Sequence, residues 1–173
     1  MNHLITASEL ISDNVEILLK LANTIISDLP ERPDFMKKCD EALDRIIEIE
    51  PTNSEALFLK GKILHKLEKY EEAIPYLEEA INMEESEDEE NLSKANSFFY
   101  LGMCHEKMKD FKQSMICQKR CLTLDNNHFG ACIHLANLLA NLGEGERAAK
   151  YFKHALKIDP DSVNAHFGLG KAI

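Results

Sequence analysis

Hydrophobic and polar positions alternate along this chain with a helical period. Over 56–67, Ala56, Leu57, Leu59, Ile63, Leu64 and Leu67 recur at three- and four-residue steps, the apolar stripe of an amphipathic helix. Similar stripes predict helices over about 8–28, 34–49, 53–67, 70–84, 92–107, 111–124, 128–142, 145–158 and 162–172. The first is the longest, with Leu10, Val15, Leu18, Leu19, Ala22, Ile25 and Ile26 on its stripe. Ser27–Pro33, holding two prolines, is the clearest loop. Pro51 and Pro160 fall between helices, where a fixed φ and a missing N–H are tolerated. Asn53-Ser54 and Asp161-Ser162 supply N-cap candidates for the helices that follow them.

Two sets of marks recur on one spacing. Gly61, Gly102, Ala136 and Gly170 lie 41, 34 and 34 residues apart. Ala148, Phe152, Ala155 and Pro160 have counterparts 34 residues earlier in Ser114, Gln118, Cys121 and Asn126. A further 41 residues back stand Ala73, Leu77, Ala80 and Glu85, and 34 before those Cys39, Leu43, Ile46 and Pro51. Both sets share the same seven-residue surplus, so the chain is built of repeats. Small residues at such slots let antiparallel helices approach closely and leave room for a large side chain opposite. Leu57, Leu64, Phe98, Leu135, Leu139 and Phe152 are the natural fillers.

This arrangement resembles the tetratricopeptide repeat, a helix–turn–helix unit of about 34 residues. Residues 129–162 match best, through Leu135-Ala136, Leu139, Ala148, Phe152, Ala155 and Pro160. Residues 54–87 carry Leu57, Gly61, Leu64, Ala73, Leu77 and Ala80. The copy between them departs most, with His105, Gln118 and Asn126 at the Tyr, Phe and Pro slots. The resemblance covers roughly 30–173. It implies an all-α, right-handed superhelical solenoid of antiparallel helix pairs, about four repeats plus the first helix of a fifth. The expected divisions are 1–33 (N-terminal helix and Pro-containing loop, first half of a degenerate repeat), 34–53 (its second helix), 54–94 with an acidic insertion at 84–90, 95–128, 129–162, and 163–173 as a truncated fifth repeat. In 163–173, Leu169, Ala172 and Ile173 are expected to lack cover. That suggests a piece of a longer array or a surface for another chain, with a frayed natural end as the alternative.

In this family the first helices line a concave surface. The offsets place Phe58, Lys62 and His65 there, then Asn96, Phe99, Tyr100, Met103 and Lys107. Ile133, His134, Asn137 and Asn141 follow, and last Asn164, Phe167 and Lys171. The surface is rich in apolar side chains, so it either receives a helical or extended segment of a partner or tightens contacts between adjacent helices. The family's carboxylate clamp for chaperone tails needs Lys, Asn, Asn, Lys and Arg. The two possible registers hold Phe58, Lys62, Tyr100, Gly130 and His134, or Phe99, Met103, His134, Asn164 and Gly168. Neither reproduces the charges, which argues against chaperone-tail binding. An asparagine ladder of the kind seen in a glycosyltransferase superhelix is also missing, the central offset reading Leu59, Tyr100, His134 and Gly168.

Composition narrows the field further. The 173 residues hold 20 Lys plus Arg against 30 Asp plus Glu, a net charge of −10 that argues against general nucleic-acid or anionic-membrane binding. Six of the acids crowd into 84–90. That run reads as a mobile, self-repelling insertion or a docking strip for a basic segment, and it lacks the ligand alternation of a calcium loop. No apolar run is long enough for a membrane span, and the start has no signal-peptide pattern. A cytoplasmic location follows as the expectation, with a cytoskeletal or ciliary site as the alternative. The five cysteines are then reduced, and Cys39, Cys121 and Cys132 sit on repeat slots as small apolar residues. Cys104 lies beside such a stripe, and Cys117 shares a helix face with Cys121 without zinc-ligand spacing. Histidines 3, 65, 105, 128, 134, 154 and 166 form no metal motif, and no phosphate loop or nucleophile elbow occurs.

No catalytic residue, metal or cofactor is therefore expected. The expected function is a non-catalytic scaffold or adaptor that helps assemble a multiprotein complex. A recruiting or regulatory arm of a longer enzyme and a self-associating structural module, joined through exposed repeat ends, remain open beside it.

Overall fold

A computed structural model describes residues 15–28, 33–83 and 87–172. They form helices joined by short turns, with no strand among the described residues. The chain divides into two compact units, residues 1–84 and 85–173. The first holds α1 (Val15–Asp28), α2 (Pro33–Ile49), α3 (Ser54–Lys66) and α4 (Tyr70–Asn82). The second holds α5 (Glu87–Lys107), α6 (Phe111–Leu124), α7 (Phe129–Asn141), α8 (Gly145–Ile158) and α9 (Val163–Ala172). Within each unit, every helix packs on the next one along the chain, and α9 touches both α8 and α7. This is the all-α stacking of helix pairs that the periodicity predicts.

The turns inside the pairs share one geometry. Glu68, Lys109 and Gly143 have φ of 61°, 65° and 78°. After each, the next residue's N–H reaches back to the carbonyl five positions earlier: Lys69 to Leu64, Asp110 to His105 and Glu144 to Leu139, at 2.8–2.9 Å. Two orphan carbonyls at each helix end are satisfied this way, the Schellman arrangement. Only Gly143 announces it in sequence. At the other ends, Asn53 Oδ1 accepts from the Ala56 N–H at 2.9 Å and Ser162 Oγ accepts from the Ala165 N–H at 3.3 Å, so both predicted caps form. Asp110 and His128 cap α6 and α7 in the same manner.

The small-residue slots hold the helices together. A Cβ on Gly61 would lie 2.5 Å from Leu77 Cγ, and one on Gly102 would lie 2.5 Å from Gln118 Nε2. Each partner stands sixteen residues ahead, on the second helix of the pair. Gly170 departs from this expectation. Nothing lies within 4 Å of its Cβ position, whereas Gly168 packs tightly on Phe152 of the helix before it. Core side chains such as Leu43, Ile46, Leu57, Ile63 and Leu77 in the first unit, and Leu135, Leu139 and Phe152 in the second, are fully buried. Each contributes about 1.5–3 kcal/mol of transfer free energy.

Three expectations need correcting. Helix α5 begins at Glu87 rather than 92, so the acidic insertion is helical from 87. The loop over 27–33 is shorter than its prolines suggest, because α1 continues through Asp28 and Pro33 opens α2, a position where its missing N–H costs nothing. Leu169 and Ala172 are not bare; they pack against the cluster of Leu135, Ala136, Leu139, Ala148 and Phe152. They share a face with buried Ala165, whereas Val163 (79% exposed) and Phe167 (65% exposed) lie on the opposite one. Residues 8–14, 29–32, 84–86 and Ile173 lie outside the described residues, so the expectations placed there are not addressed.

Lys60 was not foreseen as a core residue. It lies on the α3 stripe one turn from Ala56 and is 4% exposed. Its Nζ is 2.6 Å from Asp40 Oδ1 and 2.7 Å from Asp44 Oδ1, both one turn apart on α2. Burial pulls the ammonium pKa down, and the two carboxylates more than offset it, leaving the group above its ordinary value. A cation on an apolar stripe facing two carboxylates one turn apart is the signal that could have found it.

Candidate functional site

The predicted surface residues of the second unit come from α5, α7 and α9, the first helices of their pairs. Slot by slot, they divide into two groups. Phe99 stands three residues before Gly102 and inserts against α7: a Cβ on Gly130 would meet its ring at 2.8 Å. Its ring lies 4.6 Å from that of His128, 5.5 Å from His134 and 5.4 Å from Tyr100, centroid to centroid. Ile133, the equivalent residue on α7, packs against the clusters around Ala165 and Leu135. Phe167, in the same slot on α9, is exposed, with Lys171 Nζ 4.9 Å from its ring centroid. The slot thus serves to join one pair to the next.

A polar seam runs beside Phe99. Asn96 Oδ1 lies 3.3 Å from His128 Nε2, and His134 Nδ1 lies 2.9 Å from Glu106 Oε2. Because His128 Nδ1 accepts from the Ala131 N–H at 3.1 Å, the ring proton sits on Nε2 and is donated to Asn96. Burial holds His128 below the ordinary imidazole range, against an opposing pull from Asp125. Tyr100 is half-buried and its phenol is pushed up by burial. Met103 is half-buried; Lys107, Asn137, Asn141, Asn164 and Lys171 are exposed. So the structure brings together Asn96, Phe99, Tyr100 and His134, and places Phe167 and Lys171 on α9 outside that set of ring contacts. Glu106 and His128 were missed. Their signal was present, since His128 occupies an N-cap position and Glu106 precedes His134 by 28 residues.

In the first unit, Phe58, Lys62 and His65 lie on α3. Lys62 Nζ is 5.9 Å from the Phe58 ring centroid, and His65 stacks edge-on with Tyr70 at 5.4 Å. Burial, then the Lys66 charge, lowers the Lys62 pKa. A cavity of about 200 Å³ opens between α1 and α2, lined by Leu18, Leu21, Ile25 and Phe35 together with Lys38 and Arg45.

The cysteines behave as small apolar residues. None of the five is in a disulfide, and all are buried. Burial raises Cys39, Cys104 and Cys121 to about 12 and Cys132 to about 11. Among the described residues no group of three or more His, Cys, Asp or Glu could hold a metal ion. No helix among them is long and apolar enough to cross a membrane.

Similarity to known proteins agrees with this geometry. The chain is 24% identical over 144 residues to the tetratricopeptide repeat-containing protein trd-1 of Caenorhabditis elegans, covering 83% of this chain and 17% of that protein. It is 28% identical over 137 residues to anaphase-promoting complex subunit 7 of Dictyostelium discoideum, covering 79% and 22%. The chain therefore spans about a fifth of the length of these relatives. Among solved structures, the APC/C hetero-tetramer Cut9–Hcn1 superposes with a TM-score of 0.78 at 16% identity, over 91% of this chain and 29% of that one. Tetratricopeptide repeat profiles match residues 52–127 and 129–172, which together span most of the chain. The chain belongs to the tetratricopeptide repeat family.

Proposed function

We propose that this chain is a non-catalytic protein-interaction scaffold whose first-helix surface in the second unit binds a helical or extended segment of a protein partner. The repeats would divide at 54–94, 95–128 and 129–162, with 163–173 opening a further one. The observation that carries the reading is the α5–α7 seam. Tyr100, Met103 and His134 are half-exposed beside a fixed ring of contacts, with exposed Asn137 and Asn141 along the same helix. Rigid aromatic side chains next to adaptable amides suit peptide recognition, because little rotamer entropy is lost on binding. Two relatives bear on the scaffold role: subunit 7 is by name part of the anaphase-promoting complex, and Cut9–Hcn1 is an assembly. Phe99 and Ile133 would then shape the surface from below rather than touch the ligand.

Selection of amphipathic peptides displayed on phage against this chain tests the reading. Tyr100→Ala combined with Asn137→Ala should weaken the selected peptides by about tenfold or more, while the circular dichroism stays native. Phe99→Ala should lower stability by about 2–4 kcal/mol. Peptides that bind the double variant as well as the parent chain would remove this surface from consideration.

A further inference from the structure

Charge is divided unevenly along the chain. Residues 1–90 hold 23 of the 30 acids and 9 of the 20 Lys plus Arg; residues 91–173 hold 7 acids and 11 cations. The first stretch is thus strongly acidic, and the second is net basic within a protein of charge −10. The cations gather on the second helices of the pairs. Helix α6 has no acidic residue, and α8 has Glu146 alone. In the first unit acids prevail on the corresponding helices: α4 carries four acids and no cation, and α2 carries five acids against Lys37, Lys38 and Arg45.

These cations share a layer. Helices α6 and α8 both pack on α7, and Met115 and Leu122 of α6 join the cluster that contains Ala148 and Phe152 of α8. On α6 the buried side is Ser114, Cys117, Gln118 and Cys121, and on α8 it is Ala148, Ala149, Phe152 and Ala155. At 100° per residue, Lys112 and Lys119 on α6 and Lys150 and Lys157 on α8 lie opposite, with Arg120 and Lys153 on the flanks, all exposed. None of the six forms an ion pair within the described residues. Ile116, 45% exposed, stands on the same side of α6, four residues after Lys112 and three before Lys119.

We propose that this outer face of α6 and α8 is a second docking surface, one that takes a short acidic protein segment bearing one or two apolar side chains. Carboxylates would meet the unpaired cations, and an apolar anchor would cover Ile116. The phosphate backbone of a duplex has nothing to set against Ile116, and the chain's net charge of −10 opposes a long polyanion. The charge term acts over about a Debye length, ~8 Å at physiological salt, so the local basic face governs a short ligand despite the overall negative charge. The surface lies on the other helix of each pair from the seam of Tyr100 and His134, so the two readings stand or fall separately.

The probe is a fluorescein-labelled synthetic peptide of glutamates interrupted by a leucine and an isoleucine, followed by fluorescence anisotropy. The chain should bind it, with affinity falling about tenfold between low and high salt. Lys119→Glu, Lys150→Glu and Lys153→Glu together should cost at least about another tenfold with the helical content unchanged. Tyr100→Ala should leave binding as it was. Should the triple reversal fail to fold, Lys119→Gln with Lys153→Gln serves, expected to weaken binding in the same direction. The proposal is overturned if the peptide does not bind, if the charge variants bind it as the parent does, or if Tyr100→Ala abolishes binding. It is equally overturned if a single-stranded oligonucleotide or a phosphatidylserine vesicle is held more tightly than the peptide through the same cations.

Discussion

At the residue scale, His128 joins local and tertiary structure. Its Nδ1 caps α7, its Nε2 reaches Asn96 and its ring lies against Phe99. All three contacts use the neutral ring, and burial depresses its proton affinity. As pH falls below the ordinary imidazole value of about 6.5, the unfolded chain takes up a proton that the native ring resists. Stability from this group is therefore complete above about pH 6.5 and lost as pH falls through the lowered native value. His128→Asn keeps a capping acceptor and removes the titration. Urea midpoints at pH 7.5 and pH 5 should lie closer together in this variant than in the parent chain, and an unchanged gap would mean His128 does not carry the acid response. Lys60 shows the opposite balance. Its two carboxylates more than offset its desolvation, so the buried ammonium stays charged and ties α3 to α2.

At the element scale, the turn inside each pair forms without a uniform sequence signature. Glu68 and Lys109 adopt the left-handed backbone that Gly143 adopts without a Cβ penalty. Packing on both sides over-determines the turn, so non-glycine residues are held there at some cost. Lys109→Gly should therefore raise stability by up to about 1 kcal/mol, measured by urea unfolding. A loss of similar size would mean that the added freedom of the unfolded glycine outweighs the relief of strain.

At the scale of the whole molecule, the buried thiols are spread over both units, Cys39 in the first and Cys104, Cys121 and Cys132 in the second. Unfolded thiols ionise near 9, while the native ones are pushed to about 11 or 12. Their contribution is intact below pH 9 and lost as pH rises from there towards 12, because only the unfolded chain can then ionise. Replacing these four cysteines by alanine should flatten the loss of stability between pH 8 and pH 10.5 relative to the parent chain. Equal slopes would show that the thiols take no part. The scaffold reading and the basic outer face also belong to this scale, since each draws on several helices.

Two sets of residues recurring at 34 and 41 positions, on a helical period, were enough to define helix pairs, their order and nearly all their boundaries. Local chemistry sufficed there, because such pairs bury each element mainly against its sequence neighbours. What each predicted surface residue does was decided in three dimensions. Phe58, Phe99, Ile133 and Phe167 occupy one slot in the pattern, yet only the last is mostly exposed. Exposure depends on whether another helix stands over the slot, and no periodicity along the chain records that. The pairing of Lys60 with Asp40 and Asp44, of His134 with Glu106, and the cations shared by α6 and α8 have the same origin. Residues far apart in sequence become neighbours only when helices stack.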